Sequence, residues 1–144
     1  MRKNMTATVL LTILVNVAGC DLILDRLWNS GVHVRLLNNS DYPVKVTLYY
    51  SDQTELPRDV LTTLGTKVEY TIPAQDSADL SKPCGELRSL VIDKAELLVV
   101  GSVGPEAETE VLRRGTDFEC LETLTFTFDH GPTIVDFNID YQHQ

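Results

Sequence analysis

Hydrophobic and polar residues alternate with a period of two over much of this chain after residue 31. The alternation is regular over residues 32–36 and again over residues 44–50, and the turn-forming residues 38–41 lie between them. A period of two places successive side chains on opposite faces of a β-strand, so each segment has one apolar face. The pattern predicts that the two segments pair as an antiparallel hairpin with one buried face.

A second hairpin is predicted near the C-terminus. Residues 124–128 and 135–141 alternate in the same way, and the turn sequence 129–132 separates them. Asp136, Asn138 and Asp140 would then lie on one polar face of the last strand.

The middle of the chain predicts shorter elements. Residues 68–72 alternate up to Pro73, residues 60–64 suggest a short edge strand, and the continuous apolar run 97–100 favours a central strand. The polar and acidic residues 74–82 are typical of a loop or one helical turn.

Together these patterns predict an all-β fold with seven to nine short strands and no amphipathic helix of ten residues. We expect a single antiparallel two-sheet β-sandwich over residues 31–144, preceded by an N-terminal signal helix. Its size resembles that of immunoglobulin-like domains, but the resemblance is one of architecture only. The Cys…Trp…Cys signature is missing, because Trp28 precedes the first strand. A small β-barrel is the alternative.

The first residues have the layout of a secretory signal. Arg2 and Lys3 precede an uncharged, mostly apolar stretch over residues 5–17, and small residues follow it. The sequence Val17-Ala18-Gly19-Cys20 resembles the lipobox of bacterial lipoproteins, with Val17 in place of the more usual leucine.

This resemblance implies that Cys20 carries a diacylglycerol and that cleavage precedes it. Residues 1–19 would be the signal peptide, residues 20–30 a lipidated tether, and acyl chains such as palmitate the membrane anchor. Asp21 is a weak hint of inner-membrane retention. The alternatives are an uncleaved anchor helix and a segment of the folded core.

The net charge of the chain limits the classes of partner that it can bind. The formal net charge is −9, and removal of Arg2 and Lys3 would make it −11. Nucleic-acid binding needs clustered lysine and arginine, so this acidity argues against it, and also against docking on anionic lipid headgroups.

Three cysteines make an odd count. If Cys20 is lipidated, Cys84 and Cys120 remain, and an oxidising compartment would join them in a disulfide. Two buried free thiols are the alternative. No C-x-x-C pair or neighbouring histidine accompanies either cysteine, so the sequence predicts no metal site and no cofactor.

No catalytic constellation stands out. His33, His130 and His143 are far apart in the sequence, and Ser102 lies in Gly101-Ser102-Val103-Gly104, which lacks the spacing of a nucleophile elbow. We interpret the three histidines as exposed and the serine as part of a loop.

Acidic and hydroxyl side chains allow further, weaker hypotheses about binding sites. Loop carboxylates allow a calcium-site hypothesis, which requires several of them to converge. Asp136 and Asp140 are interpreted as charges that guard an edge strand. Thr123, Thr125 and Thr127 predict a solvated strand face, with glycan or ice binding as a remote alternative. The carboxylates of the calcium hypothesis are Asp41, Asp52, Asp76 and Asp79.

The sequence therefore favours a non-enzymatic binding or structural module of the bacterial cell envelope. It would be anchored in a membrane through Cys20 and face the periplasm or the exterior, with an envelope protein or a glycan as its partner. The alternatives are a small accessory enzyme or inhibitor acting on envelope polymers, and a calcium- or solute-binding module.

Overall fold

A computed structural model describes residues 31–100 and 104–144. Residues 1–30 lie outside this part, and with them the predictions for the signal peptide, Cys20, the tether and Trp28. Ser102 also lies outside it. Within the described ranges, no helix is long and apolar enough to cross a membrane.

The described residues form nine strands and two short helices, in two sheets packed face to face. The α-helix α1 spans Arg58–Leu64, and a 3-10 helix spans Ile134–Asp136. The strands are β1 (Gly31–Asn38), β2 (Val44–Ser51), β3 (Thr66–Ile72), β4 (Ser77–Pro83), β5 (Ser89–Leu97), β6 (Glu106–Ala107), β7 (Leu112–Arg113), β8 (Thr123–Asp129) and β9 (Asn138–His143).

The first sheet has the order β4-β1-β8-β9, and the second has β3-β2-β5-β6 with β7 also paired to β5. The predicted all-β sandwich is therefore confirmed. One feature departs from a purely antiparallel arrangement: β1 and β8 run parallel, with Leu36 opposite Phe126. Parallel neighbours need a long crossover, and here β4 and every strand of the second sheet lie between β1 and β8 in the sequence.

The predicted hairpin between residues 32–36 and 44–50 is wrong. β1 lies in the first sheet and β2 in the second, so the connection 39–43 crosses from one sheet to the other. The apolar faces of both strands still point into one core, where Val34, Leu36, Val46 and Leu48 are all buried. Alternation specifies which face is buried, and both arrangements bury the same face.

Three shorter predictions also need correction. Residues 60–64 belong to α1 rather than to an edge strand, because Leu61 packs with Val91 and Val111 on the outer face of the second sheet. Residues 77–83 form β4 rather than a loop. The run 97–100 is not a central strand, since β5 ends at Leu97 and the Leu98 N–H donates to the Pro43 carbonyl (2.8 Å).

The C-terminal hairpin is confirmed, with Phe126 of β8 opposite Tyr141 of β9. Its connection is longer than predicted and contains the 3-10 helix. Asp136 therefore lies outside the strand, and of the three residues predicted to share one face only Asn138 and Asp140 belong to β9.

Asn38 ties the two sheets together at the end of β1. Its buried amide nitrogen donates to the carbonyl oxygens of Tyr42 (2.9 Å), Ile72 (3.1 Å) and Pro73 (2.9 Å). Its amide oxygen accepts from the Ser40 N–H (3.0 Å) and hydroxyl (2.7 Å). One side chain thus satisfies buried groups from the β1–β2 connection and from the end of β3.

The disulfide joins Cys84 to Cys120, with the Cα atoms 5.6 Å apart. The predicted pairing is therefore present. Cys84 lies in the β4–β5 connection and Cys120 in the β7–β8 connection, and both connections cross between the sheets. Arg114 adds a second contact beside the disulfide, because its guanidinium donates a hydrogen bond to the Cys84 carbonyl.

Replacement of Asn38 by alanine should lower the free energy of unfolding by about 2–4 kcal/mol, because several buried carbonyls lose their donor. Urea denaturation measures this change. Asn39→Ala alters an exposed neighbouring side chain and should cost under about 0.5 kcal/mol. Equal losses in the two variants would contradict the role assigned to the Asn38 amide.

Removal of the disulfide should cost about 4 kcal/mol, because a loop of about 37 residues is released in the unfolded chain. The double variant Cys84→Ser/Cys120→Ser tests this in urea with and without reductant. Reductant should lower the midpoint of the unaltered protein and leave that of the variant unchanged. An unaltered protein that is insensitive to reductant would contradict the prediction.

Candidate functional site

Four connections leave the strands at one end of the sandwich, which we call the loop end: residues 39–43, 73–76, 98–105 (described at 98–100 and 104–105 only) and 130–137. Their grouping follows from strand register. Val44 at the start of β2 is opposite both Ile72 and Leu97, the last residues of β3 and β5. In the first sheet, Asn38 at the end of β1 is opposite Phe128, near the end of β8.

The opposite end of the strands, which we call the disulfide end, carries Gly31 and the connections 84–88 and 114–122. It also holds a shallow cleft of about 290 Å³ between the end of β2 and the start of β3. Tyr50, Asp52, Leu64 and Glu86 are among its lining residues.

The loop end is acidic. Asp41, Asp76 and Asp136 lie in three of its connections, and none of the four connections contains lysine or arginine. Such a surface attracts cationic groups and repels phosphate.

The loop end also exposes apolar side chains. Val100 is 98% exposed, Val135 79% and Ile134 38%. Soluble domains often expose single apolar residues, but three at one end, in connections that contain carboxylates and neither lysine nor arginine, form a surface of distinct chemistry. Contacts between β6 and β9 place the 98–105 and 130–137 connections on the same side of this end.

Hydrogen bonds hold two of the loop-end connections together. The Gln75 side chain donates to the carbonyls of Asn39 (2.7 Å) and Ser40 (3.1 Å). Asn38 adds its bonds to Tyr42 and Pro73. These bonds fix the backbones of connections 39–43 and 73–76 relative to each other.

His130 joins the 130–137 connection to the 39–43 connection. Its Nε2 lies 3.4 Å from the Asp41 backbone nitrogen and 3.7 Å from the Asp41 carboxylate, and its Nδ1 lies 2.9 Å from the Gly131 carbonyl oxygen. In this arrangement Nε2 accepts from the Asp41 N–H, and Nδ1 faces the Gly131 carbonyl oxygen. The ring also lies 5.9 Å from that of Tyr42.

The other candidate residues do not assemble into a catalytic or metal site. His33 contacts the Ser81 hydroxyl (2.5 Å) on the outer face of the first sheet, and His143 lies 3.4 Å from the Glu122 carboxylate. Among the described residues, no three or more His, Cys, Asp or Glu side chains are arranged to hold a metal ion.

The four carboxylates of the calcium hypothesis are spread over the domain. Asp41 and Asp76 belong to the loop end, whereas Asp52 follows β2 at the disulfide end. Asp79 faces outward from β4, 4.0 Å from the Arg35 guanidinium. The convergence that calcium requires is therefore not found for this set.

The threonine face predicted for β8 is present. Thr123, Thr125 and Thr127 point outward between His33, Arg35 and Leu37 of β1 and the polar side chains of β9. This face offers hydroxyl and charged groups.

Sequence reasoning missed Asn38, Ile134 and Val135 as site residues. Asn38 was counted as a turn former, although the Asn-x-Ser spacing to Ser40 allows the side-chain turn that is observed. Ile134 lies between the predicted turn 129–132 and the strand predicted from Val135, and neither position carries a sequence signal of its exposure.

Comparison with known proteins identifies no family. No protein-family model matches the chain, and no curated protein matches it. Solved structures show a partial likeness in fold alone. An NMR structure of a protein from Eubacterium rectale is 12% identical, with 77% of this chain and 87% of that chain covered and a TM-score of 0.45.

Two further structures show a similar degree of likeness. The T6SS lipoprotein TssJ1 from Pseudomonas aeruginosa is 12% identical, with 80% of this chain and 96% of that chain covered and a TM-score of 0.44. The membrane-binding domain of pneumolysin is 7% identical, with 78% and 96% covered and a TM-score of 0.44.

Tyr141 gives the domain a distinct alkaline response. Its hydroxyl donates to the Asp117 carbonyl (3.0 Å), and its ring lies 5.2 Å from that of Phe126. Burial, with the nearby charges of Asp117 and Glu122, raises the pKa of Tyr141 to about 12. A tyrosine in the unfolded chain ionises near pH 10, so the unfolded state loses this proton first and stability falls as pH rises from about 10 to 12.

Tyr141→Phe should lower stability by about 1 kcal/mol at neutral pH through loss of the hydrogen bond, and should reduce the decline between about pH 10 and 12. Denaturant titrations at several pH values measure both effects. Tyr49→Phe, on the second sheet, is the matched control and should keep the decline that Tyr141 causes. An unchanged alkaline decline in Tyr141→Phe would contradict the assignment.

Proposed function

We propose that this protein is a non-enzymatic, lipid-anchored binding module of the cell envelope. Residues 1–19 direct export, Cys20 carries the lipid, and residues 20–30 tether the domain of residues 31–144 in an extracytoplasmic space. The lipobox-like sequence supports export and anchoring. The Cys84–Cys120 disulfide agrees with this location, because such bonds persist mainly in oxidising compartments.

The observation that carries the proposed activity is the chemistry of the loop end. It combines exposed Val100, Ile134 and Val135 with carboxylates that have no lysine or arginine in the same connections. The chain reaches the described domain at Gly31, at the disulfide end, so the loop end lies at the far end of the strands from this attachment point.

The partner that this chemistry suits is a protein with a basic and partly apolar surface. Charge complementarity would steer the encounter, and burial of Val135 and its apolar neighbours would hold the complex. The bonded connections of the loop end supply a preformed surface for such contact.

A binding role also agrees with the polar groups of the domain. Two of the clefts formed by the described residues are lined in part by charged side chains, and one of these two lies at the disulfide end. The second of them, lined by Asp93, Lys94 and Glu106, holds carboxylates engaged in ion pairs: Lys94 contacts Glu106 (2.6 Å), and Arg58 contacts Asp93 (3.2 Å). Paired carboxylates on an exposed sheet are suited to structural roles rather than to proton transfer.

Photocrosslinking in intact cells tests the proposal. A benzophenone amino acid at position 135 should capture one discrete envelope protein, whereas the same group at Thr63 on α1, which is also exposed, should not. The double reversal Asp41→Lys/Asp136→Lys should reduce the position-135 adduct about tenfold, because attraction becomes repulsion.

Asp52→Lys provides the matched control, since Asp52 is an exposed carboxylate at the disulfide end. It should leave the adduct at position 135 unchanged. The same adducts from positions 63 and 135, or an adduct that is indifferent to the loop-end reversals, would contradict the proposed function.

A further inference from the structure

The last strand of the first sheet presents a backbone edge. β9 is terminal in the order β4-β1-β8-β9 and pairs only with β8 among the described strands. Thr123 and Gln144 exchange both backbone hydrogen bonds, N–H to C=O, at 2.9 and 3.1 Å. In an antiparallel ladder such pairs alternate with pairs that exchange none, so this one pair determines the direction of every backbone group in β9.

From that register, the backbone groups of Asp140 and Gln142 point to β8, and those of Ile139, Tyr141 and His143 point to the open edge. The neighbouring strand agrees with this assignment. Phe128 is opposite Ile139, and its carbonyl accepts from the Asn39 N–H (2.9 Å), on the side of β8 away from β9. Within the described ranges, the three edge residues have no backbone partner on the open side.

The β9 edge is guarded more lightly than the other long edges. β3 carries a Lys67–Glu69 ion pair (3.2 Å), and β4 carries Asp79 and Lys82 and ends in Pro83, which cannot donate. β9 carries a single carboxylate, Asp140, on its exposed outer face. Charges and proline are the usual means by which an edge avoids pairing with another strand, and among the described residues β9 has neither an ion pair with lysine or arginine nor a proline, although the two-residue strand β6 lies close to it.

The negative charge of Asp140 determines which kind of strand pairs favourably with the β9 edge. Antiparallel pairing of β9 with β9 of a second copy would bring two Asp140 side chains to the same outer face, and each copy has a net charge of −9. Like charges on one face of paired strands are destabilising. A strand with lysine or arginine on that face would instead pair favourably with Asp140.

The inner side of the β9 edge favours apolar residues in an added strand. Ile139 and Tyr141 are partly buried, and both pack against the core of the sandwich. An added strand would place every second side chain beside them, where apolar groups lose water. The exposed Ile134 and Val135 precede β9 in the chain and offer further apolar contact where β9 begins.

We propose that β9 is a strand-addition site for an extended partner segment in which basic and apolar residues alternate. The segment pairs with the edge groups of Ile139, Tyr141 and His143, places a cation near Asp140, and extends the first sheet by one strand. This inference rests on the proposed protein-binding function and deepens it, because it specifies how the partner is held.

Amide hydrogen exchange by NMR on the full chain tests the proposal, with a short capped peptide of alternating lysine and valine as the probe. The peptide should slow exchange of the amides of Ile139, Tyr141 and His143 by about tenfold or more, because each gains a hydrogen bond. The amides of Asp140 and Gln142 already bond to β8 and should change little. The alternating pattern along one strand is the signature of strand addition.

Two controls isolate the edge from general attraction to an acidic protein. A peptide with N-methylated valines cannot donate along one edge and should fail to protect β9. Asp140→Lys should weaken binding of the unmodified peptide about fivefold. Asp79→Lys reverses an exposed carboxylate on the other edge strand of the same sheet and should leave binding unchanged.

Several outcomes would overturn the strand-addition proposal: no binding, protection confined to residues 134–136, equal effects of Asp140→Lys and Asp79→Lys, or edge amides already protected without peptide. Edge protection that grows with protein concentration alone would assign the site to a second copy. These outcomes leave the crosslinking test at position 135 to decide the proposed function independently, since that test requires only a partner at the loop end.

Discussion

The whole arrangement depends on the passage of the chain from the first sheet to the second immediately after β1. That crossing leaves buried backbone groups at the end of the sandwich, and Asn38 satisfies them. Its amide contacts Tyr42 in the connection itself and Ile72 and Pro73 at the end of β3. A buried polar side chain is stable only when its hydrogen-bond donors and acceptors have partners. The hydrogen bonds of Asn38 meet this requirement and position the connections 39–43 and 73–76 of the loop end.

The two ends of the sandwich differ in their chemical character. The disulfide end receives the chain at Gly31 and is fastened by Cys84–Cys120, so it suits attachment. The loop end has connections held by Asn38, Gln75 and His130, and it exposes apolar side chains among carboxylates. A rigid domain with attachment at one end and a preformed acidic and apolar surface at the other is suited to holding a partner.

Much of the fold follows from local pattern, and the parts that do not follow share a physical reason. Alternation locates β1, β2, β3, β8 and β9 because side-chain direction is a property of each strand alone. It cannot choose strand partners, which is why the first hairpin was wrong and why the parallel pairing of β1 with β8 had no signal. β4 was not predicted as a strand because an edge strand partly buries only a few residues, such as Ala78 and Leu80.

The candidate site was less predictable than the fold. The acidity of the turns and the pairing of Cys84 with Cys120 could be inferred from sequence, whereas the placement of Asp41, Asp76 and Asp136 in connections at the same end depends on topology. Exposure of Val135 depends on the 3-10 helix before β9, where an apolar pattern suggested burial. Long-range placement therefore decides the site, and no local pattern encodes it.

The central claim is that this β-sandwich is an exported domain held by lipid at Cys20. Intact-mass spectrometry of the protein extracted from membranes, with and without reduction, tests it most directly. The account predicts the mass of residues 20–144 plus acyl chains, with an increase of two hydrogens on reduction of the disulfide. An unprocessed chain of 144 residues with free thiols would contradict the proposed location and the function built on it.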